Sequence, residues 1–514
     1  MIRAEHYQVR KPAVRSAGGV VAAQNAPAAE VGAEILRQGG NAMDAAVATA
    51  LAVGTVEPWM SGIGGGGCML VYRAADRSVH AIDFGMPSPA GLDPADYPLS
   101  QGGEDIDLFG WPLVVDQRNV RGYKSIGVPG ALDGFRLGLE TFGSMPFAAL
   151  IEPSIDLARR GVPLTWWTML RITGEAAGIA RDPVASACYL PGGLPPVALD
   201  GPMKFLPLGN LAETYQRLAA AGPRDFYEGA VARDVIADLQ AGGARFVAAD
   251  LAGYRARLMP PITVGRGGAE LHLVPGYTAG PTFADALSQV PDTVVPPAPA
   301  AFAAYARAMM AAYAKRFATH GHAGETHMPS STTHLAVADR HGNMVTLTNT
   351  LLSVFGSKSM LPTTGILMNN AVMWFDPRPG GVNSLKGGVR PLTNMCPVVA
   401  TRDRAPLFAL GASGGRMIVS AVFQASLFMV DGGMDLEGAL HHPRLSVSTP
   451  NAIGADYRLA PAVFDALTPL APVTPIEMAA FPARFANPQG VAIEDGVPTG
   501  VAHPWNPMAA AAGA

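Results

Sequence analysis

The residues with the clearest chemical possibilities are Ser330-Ser331-Thr332-Thr333-His334, which place hydroxyls and an imidazole just before an apolar run, Leu335 to Ala338. A turn-like Asp339-Arg340-His341-Gly342-Asn343 follows, then a second run from Met344 to Thr348. Two such runs around a turn rich in Gly and Asn predict a β-hairpin. Pairing Asp339 with Asn343 puts Thr332 opposite Thr350, and a one-residue slip would move the partner to Leu351. A threonine hydroxyl is a poor nucleophile at neutral pH and needs a base beside it. No Ser-His-Asp set can be assigned. Cleavage of the chain before Thr332 would supply a base, its own α-amino group. The reference pKa of that group is about 7.7–8.0, which leaves a useful fraction unprotonated near neutrality. Taken alone, a Thr-Thr-His run is more often simply the start of a strand.

Two other clusters invite a chemical reading. Four consecutive glycines, Gly64 to Gly67, expose backbone N–H groups that could cradle a phosphate. However, the lysine of a P-loop is missing and a strand-like Met69 to Tyr72 follows where a helix is required, so tight backbone packing is the better expectation. His320, His322 and His327 lie close in sequence, but without a carboxylate pair or a fixed-face spacing they read as solvated loop histidines. No metal or cofactor is expected. Cys68, Cys188 and Cys396 are odd in number and far apart, which excludes a disulfide framework.

The elements that must position these residues fit a large globular protein of 514 residues. Hydrophobic residues make up 49% and charged residues 15%, enough apolar material to exclude whole-chain disorder. The 59 glycines and 45 prolines have no fixed period, so they mark turns rather than a collagen-like rod. A net charge of −4 and the absence of a basic stripe argue against a nucleic-acid partner and leave a small molecule as the expected ligand. Neither an apolar signal region nor a membrane span is evident, so a cytoplasmic protein is expected. Ala26 to Gln38 reads as an amphipathic helix stopped by Gly39-Gly40, and Asn41 as the N-cap of an alanine-rich helix from Ala42 to Val53. Helices are also expected at Asp225 to Gln240 and Ala301 to Phe317, a strand at Leu407 to Leu410, and a mobile low-complexity tail at Ala509 to Ala514.

In its motifs the chain resembles the γ-glutamyltransferase family. The matching segments run in order along nearly its whole length: GGNAMDAAVATALAV, GIGGGGCML, Gly127-Val128-Pro129-Gly130, Asp225 to Gly229, Asp250 to Tyr254, the TTH at 332–334, Gly365 to Asn370, Arg390-Pro391-Leu392 and Ser413-Gly414-Gly415. The resemblance implies an α+β fold, the four-layer αββα sandwich of N-terminal-nucleophile hydrolases. It also implies a precursor cut between Ser331 and Thr332 into 1–331 and 332–514, which remain together as a heterodimer. By the same resemblance Thr332 is the nucleophile, Thr350 its supporting hydroxyl, and Gly414 and Gly415 the oxyanion-hole donors.

Departures from the family pattern concern the acyl group. Gly85 stands where the family has an arginine for the donor α-carboxylate, and Leu352 where it has an asparagine. Ala371 to Trp374 replace polar and acidic residues that bind the α-ammonium, and Thr393-Asn394 replace a Ser-Ser pair. Burying an unpaired ammonium and carboxylate against Leu352 and Trp374 would cost several kcal/mol per ion. The expectation is therefore a self-processing amidohydrolase whose donor pocket has moved away from free γ-glutamyl groups. Thr393 and Asn394 then bind the substrate, for which an oxamate-like small amide is the leading choice. A conventional γ-glutamyltransferase or glutathione hydrolase, a cephalosporin-acylase-like enzyme, and a catalytically silent binding scaffold are the alternatives.

Overall fold

In the computed structural model the described residues are 9–100, 111–198, 200–319, 331–481 and 483–514. Fourteen of their strands build two large sheets. In chain order these are β1 (Val14–Arg15), β2 (Gly19–Ala23), β3 (Gly66–Arg73), β4 (Ser78–Phe84), β5 (Arg257–Met259), β6 (Ile262–Arg266), β7 (Ala269–Leu273), β8 (Ser331–Asp339), β9 (Met344–Leu352), β10 (Val398–Arg402), β11 (Ala405–Ser413), β12 (Asn487–Glu494), β13 (Val497–Val501) and β14 (Ala510–Gly513). The first sheet runs β14-β2-β8-β9-β3-β4-β5 and the second β1-β13-β12-β11-β10-β7-β6, all neighbours antiparallel.

Strand periodicity explains the layering. Side chains alternate between faces, so Val20 and Ala22 of β2 enter one apolar cluster while Val21 and Ala23 enter another. The first of these clusters lies between the sheets, where Ala336, Leu70 and Tyr72 meet Ala409, Val399 and Val491. On the outer face of the first sheet lie helices α1 (Ala26–Arg37) and α2 (Ala42–Val56). The outer face of the second sheet is covered by α3 (Pro299–Thr319) and α4 (Met417–Val430). The fold is thus the expected four-layer αββα sandwich, and both sheets share one interior instead of dividing the length into several domains.

All fifteen residues of α2 are buried, which accounts for its alanine content: a helix enclosed all round has no polar face to show. Asn41 caps it as expected, accepting from the Met43 and Asp44 N–H groups at 2.9 and 3.2 Å while Asp44 returns a bond to the Asn41 N–H. Two expectations are corrected. The alanine tail is not loose: Ala510–Gly513 pairs with β2, because small side chains let an edge strand lie close to its neighbour. The helix expected from Asp225 breaks at Gly229 into Asp225–Glu228 and Ala230–Ala241, since Asp225 turns back to accept from the Ala230 and Val231 N–H groups. Among the described residues no helix is long and apolar enough to cross a membrane.

Candidate active site

The hairpin turn is organised by one carboxylate. Asp339 Oδ1 accepts from the His341 and Asn343 N–H groups at 2.9 and 3.0 Å, and its Oδ2 accepts from Asn343 Nδ2 and from the Ala42 N–H that opens α2. Held there, β8 and β9 pair in one register from Ala338–Met344 to Thr333–Asn349, the register read from sequence. It then breaks: Ser331 faces Leu352, so two residues of β9, Thr350 and Leu351, stand against the single Thr332. A bulge of this kind re-aims a side chain. Thr332 Oγ lies 3.3 Å from Thr350 Oγ, and both residues are buried. Thr350 Oγ also accepts the Leu352 N–H at 2.8 Å. Ser331 and Thr332 are consecutive residues of one strand.

The glycine run serves this hairpin. Side chains on Gly65 and Gly67 would collide with the carbonyls of Thr350 and Thr348, so close backbone approach is what these glycines permit, as expected over phosphate binding. His334 is equally committed. Its ring nitrogens lie 3.0 Å from Thr348 Oγ and 3.1 Å from Thr346 Oγ. Thr346 donates to the Leu410 carbonyl, so it accepts from Nε2–H, and Nδ1 accepts from Thr348. Burial pushes the imidazole pKa down to about 3. A neutral ring with both nitrogens engaged is a structural strut, not a general base.

Gly414 and Gly415 follow β11 and precede α4, both at positive φ (133° and 61°). A Cβ on Gly414 would lie 2.7 Å from Ala486 Cα, so only glycine fits that turn. β11 crosses the start of the hairpin from the opposite sheet: Gly411 packs under the His334 ring, Gln489 donates to the His334 carbonyl, and Gln24 donates to Ser413 Oγ. The glycine turn therefore lies at the same end of the sandwich as Thr332, next to backbone N–H groups of a helix start.

Thr393 and Asn394 are held from behind by Arg316 of α3, a residue the sequence did not single out. Its Nη2 donates to the Thr393 carbonyl at 2.6 Å and to Asn394 Oδ1 at 3.3 Å, and burial lowers its pKa to about 10. Asn394 Oδ1 is thus occupied, whereas the buried Thr393 hydroxyl has no protein partner. Thr393 lines a small cavity together with Gly85, Met86, Tyr277, Arg390 and Met395. Met86 packs on Gly66, the residue paired with Thr350, which places the cavity beside the two hydroxyls. Among the described residues no three His, Cys, Asp or Glu side chains are grouped to hold a metal. His320, His322 and His327 lie outside the described residues.

The family model described as Gamma-glutamyltranspeptidase matches residues 28–320 and 298–513. The chain belongs to the gamma-glutamyltranspeptidase family. Among its relatives, the Acylase ACY 1 proenzyme of Pseudomonas sp. (strain V22) is 34% identical over 479 residues, covering 85% of this chain and 83% of that one. The glutathione hydrolase proenzyme of Bacillus subtilis (strain 168) is 30% identical over 484 residues, covering 83% and 80%. In fold, the chain superposes on a cephalosporin acylase from Bacillus halodurans with a TM-score of 0.85 at 23% identity, covering 100% and 99%. As a gamma-glutamyltranspeptidase family member, the protein is an N-terminal-nucleophile amide hydrolase or acyltransferase.

At Gly85, where the resemblance places a family arginine, Arg390 Nη1 comes within 4.0 Å of the missing Cβ. That guanidinium is ion-paired with Asp83, which also accepts the Gly85 N–H at 2.9 Å. Leu352, Met86, Met373, Trp374 and Met395 form one buried apolar cluster. Leu352 holds φ at +85°, a left-handed conformation that asparagine adopts readily and leucine rarely.

Proposed function

We propose that this family member is a self-processing amidohydrolase in which Thr332 is both the cleavage point and the nucleophile. The observation that carries the reading is the Thr332–Thr350 hydroxyl pair at 3.3 Å, set at a bulge in an otherwise regular ladder. In self-cleavage, Thr332 Oγ adds to the Ser331 carbonyl carbon and the Ser331–Thr332 C–N bond breaks. Water then hydrolyses the resulting ester, giving chains 1–331 and 332–514 that stay together as a heterodimer. The naming of both relatives as proenzymes agrees with such processing.

In turnover, the freed Thr332 amine takes the proton from Oγ as it attacks the substrate amide carbonyl. Thr350 Oγ accepts the Leu352 N–H, and in this mechanism it donates its own proton to Thr332 Oγ and supports the alkoxide as it develops. Backbone N–H groups at Gly414 and Gly415 receive the oxyanion, a contribution of roughly 3–4 kcal/mol for one such donor. The amine returns the proton to the leaving nitrogen, the C–N bond breaks, and water attacks the ester to release the acid.

The donor in this proposal lacks the free ammonium of a γ-glutamyl group, because the wall near Leu352 and Trp374 is apolar and Arg390 is neutralised by Asp83. A small amide such as oxamate is the proposed donor, and the unpartnered Thr393 Oγ supports this reading as a hydrogen-bond partner for it. A longer acyl chain is the second reading. An open cleft with Tyr254, Arg255 and Arg257 shares Tyr277 and Arg390 with the inner cavity, and a relative at 34% identity is named an acylase. A panel of oxamate, glutathione and acyl amides of increasing length, assayed on the processed protein, separates these readings. Turnover of glutathione above all the others would overturn the pocket argument.

A further inference from the structure

Helix α4 leaves the Gly414–Gly415 turn and at once grips a second segment. Gln424 Nε2 donates to the Leu445 carbonyl at 2.9 Å, its Oε1 accepts the Leu445 N–H at 2.8 Å, and Ser420 Oγ donates to the same carbonyl at 3.2 Å. The residue before Leu445 is Arg444, only 1% exposed. Its Nη2 donates to the Ala486 carbonyl at 2.9 Å. Ala486 in turn stands opposite Gly414, because β11 and β12 pair Ser413 with Asn487 and a Gly414 Cβ would lie 2.7 Å from Ala486 Cα. The frame closes on itself: glycine turn, α4, Leu445, Arg444, Ala486 and back to the glycine turn.

The charge inside this frame has no ion-pair partner of its own and is faced by the Phe485 ring, 5.7 Å from the guanidinium carbon. Among the described residues Arg444 makes no ion pair, and its Nε has no hydrogen-bond partner. The carboxylate that acts on it, Asp456, is already bound through both oxygens by Arg458. Burial lowers the Arg444 pKa to about 10, so the guanidinium is still charged at neutral pH. Isolated buried cations are costly, and one placed where negative charge must gather during reaction has a use that a packing role does not require.

We propose that Arg444 is a positioning residue for acyl transfer: it holds Ala486 as the wall that shapes the Gly414 turn, and its uncompensated charge favours negative charge on the substrate oxygen at that turn. The inference rests on reading Gly414–Gly415 as the oxyanion turn. Lysine would keep the charge but lose the planar fork, whereas glutamine would keep a donor and lose the charge. The ranking of the three side chains therefore separates field from packing.

The test uses the self-cleaved wild type, Arg444→Lys and Arg444→Gln, with Thr332→Ala as blank. Acylation by 4-nitrophenyl acetate, a small neutral ester, is followed by stopped flow, with melting temperatures measured alongside. The expected order is wild type, then Lys, then Gln, with the glutamine variant slower by about ten- to a hundredfold in maximal acylation rate and within twofold in half-saturating ester. Unchanged rates in Arg444→Gln overturn the proposal. So do equal losses in both variants that track their melting temperatures, because that pattern is packing alone. If Arg444→Gln does not fold, Arg444→Lys decides: a lower maximal rate at near-wild-type melting temperature supports the role, and a wild-type rate overturns it. A burst that persists in Thr332→Ala, or is missing from the wild type, removes the parent reading and this assignment with it, an outcome distinct from any Arg444 result.

Discussion

Thr332 and Thr350 meet across a hairpin closed by the short turn from Asp339 to Asn343, whereas the cavity beside them is walled by Asp83 and Arg390, 307 positions apart. The hairpin is regular up to its one bulge, and His334 pairs with the hydroxyls of Thr348 and Thr346. The cavity wall is drawn from distant parts of the chain, and the Thr393 hydroxyl in it is buried without a protein partner. In the proposed mechanism, the first region carries the reaction and the second chooses the acyl group.

The sharpest break of that comparison is Thr332→Ala. It should leave one uncut chain by intact mass and lower amidase activity at least about a thousandfold; a variant that still divides would end the nucleophile assignment. Next, Gly414→Ala forces a Cβ against Ala486 at φ +133°, and kcat should fall about a hundredfold with KM little moved. Thr350→Val should slow turnover about tenfold or more and strand the Leu352 N–H, costing roughly 1–3 kcal/mol in denaturant melts. An undiminished rate would move Thr350 from the reacting hydroxyls to the scaffold.

Leu352→Asn tests the selecting wall. It relieves a left-handed leucine but removes apolar packing, so stability should drop by about 1–2 kcal/mol. The ratio of kcat/KM for γ-glutamyl-p-nitroanilide over non-glutamyl amides should nevertheless rise severalfold. A ratio that stays put would show that Leu352 does not select.

The effect farthest from the reaction concerns the helix side of the hairpin, where buried Glu57 follows α2. Burial raises its pKa from 4.5 to about 7, opposed by a bond to Asn25 and by Arg171. A carboxyl that prefers its neutral form in the folded state contributes stability below about 4.5 that is lost as pH rises through about 7. Glu57→Gln should therefore match the wild type near pH 4.5 and exceed it at pH 8, by up to about 3 kcal/mol. Equal pH profiles would place the charged form at ease in its site.

The hairpin was legible in sequence because its contacts are local: a period of two, a Gly/Asn turn and a counted register suffice to bring Thr332 to Thr350. The Asn41 cap was readable for the same reason, since residues three apart complete it. Arg316, Arg390 and Arg444 were not. Each acts on a carbonyl or carboxylate at least 42 positions away, and nothing in the neighbouring residues marks which arginine will be buried. The alanine tail was misjudged because low complexity suggests looseness, while an edge next to β2 rewards small side chains.

By itself, then, the sequence determined the family, the sandwich class and the two strands that carry the hydroxyl pair, since these follow from ordered motifs and short-range periodicity. Tertiary structure alone decided that His334 is a neutral strut, that Asp83 neutralises Arg390 beside Gly85, and that an unpaired guanidinium stands behind Gly414. The physical reason is that protonation, pairing and strain depend on which distant groups share a buried volume, and only packing brings them together.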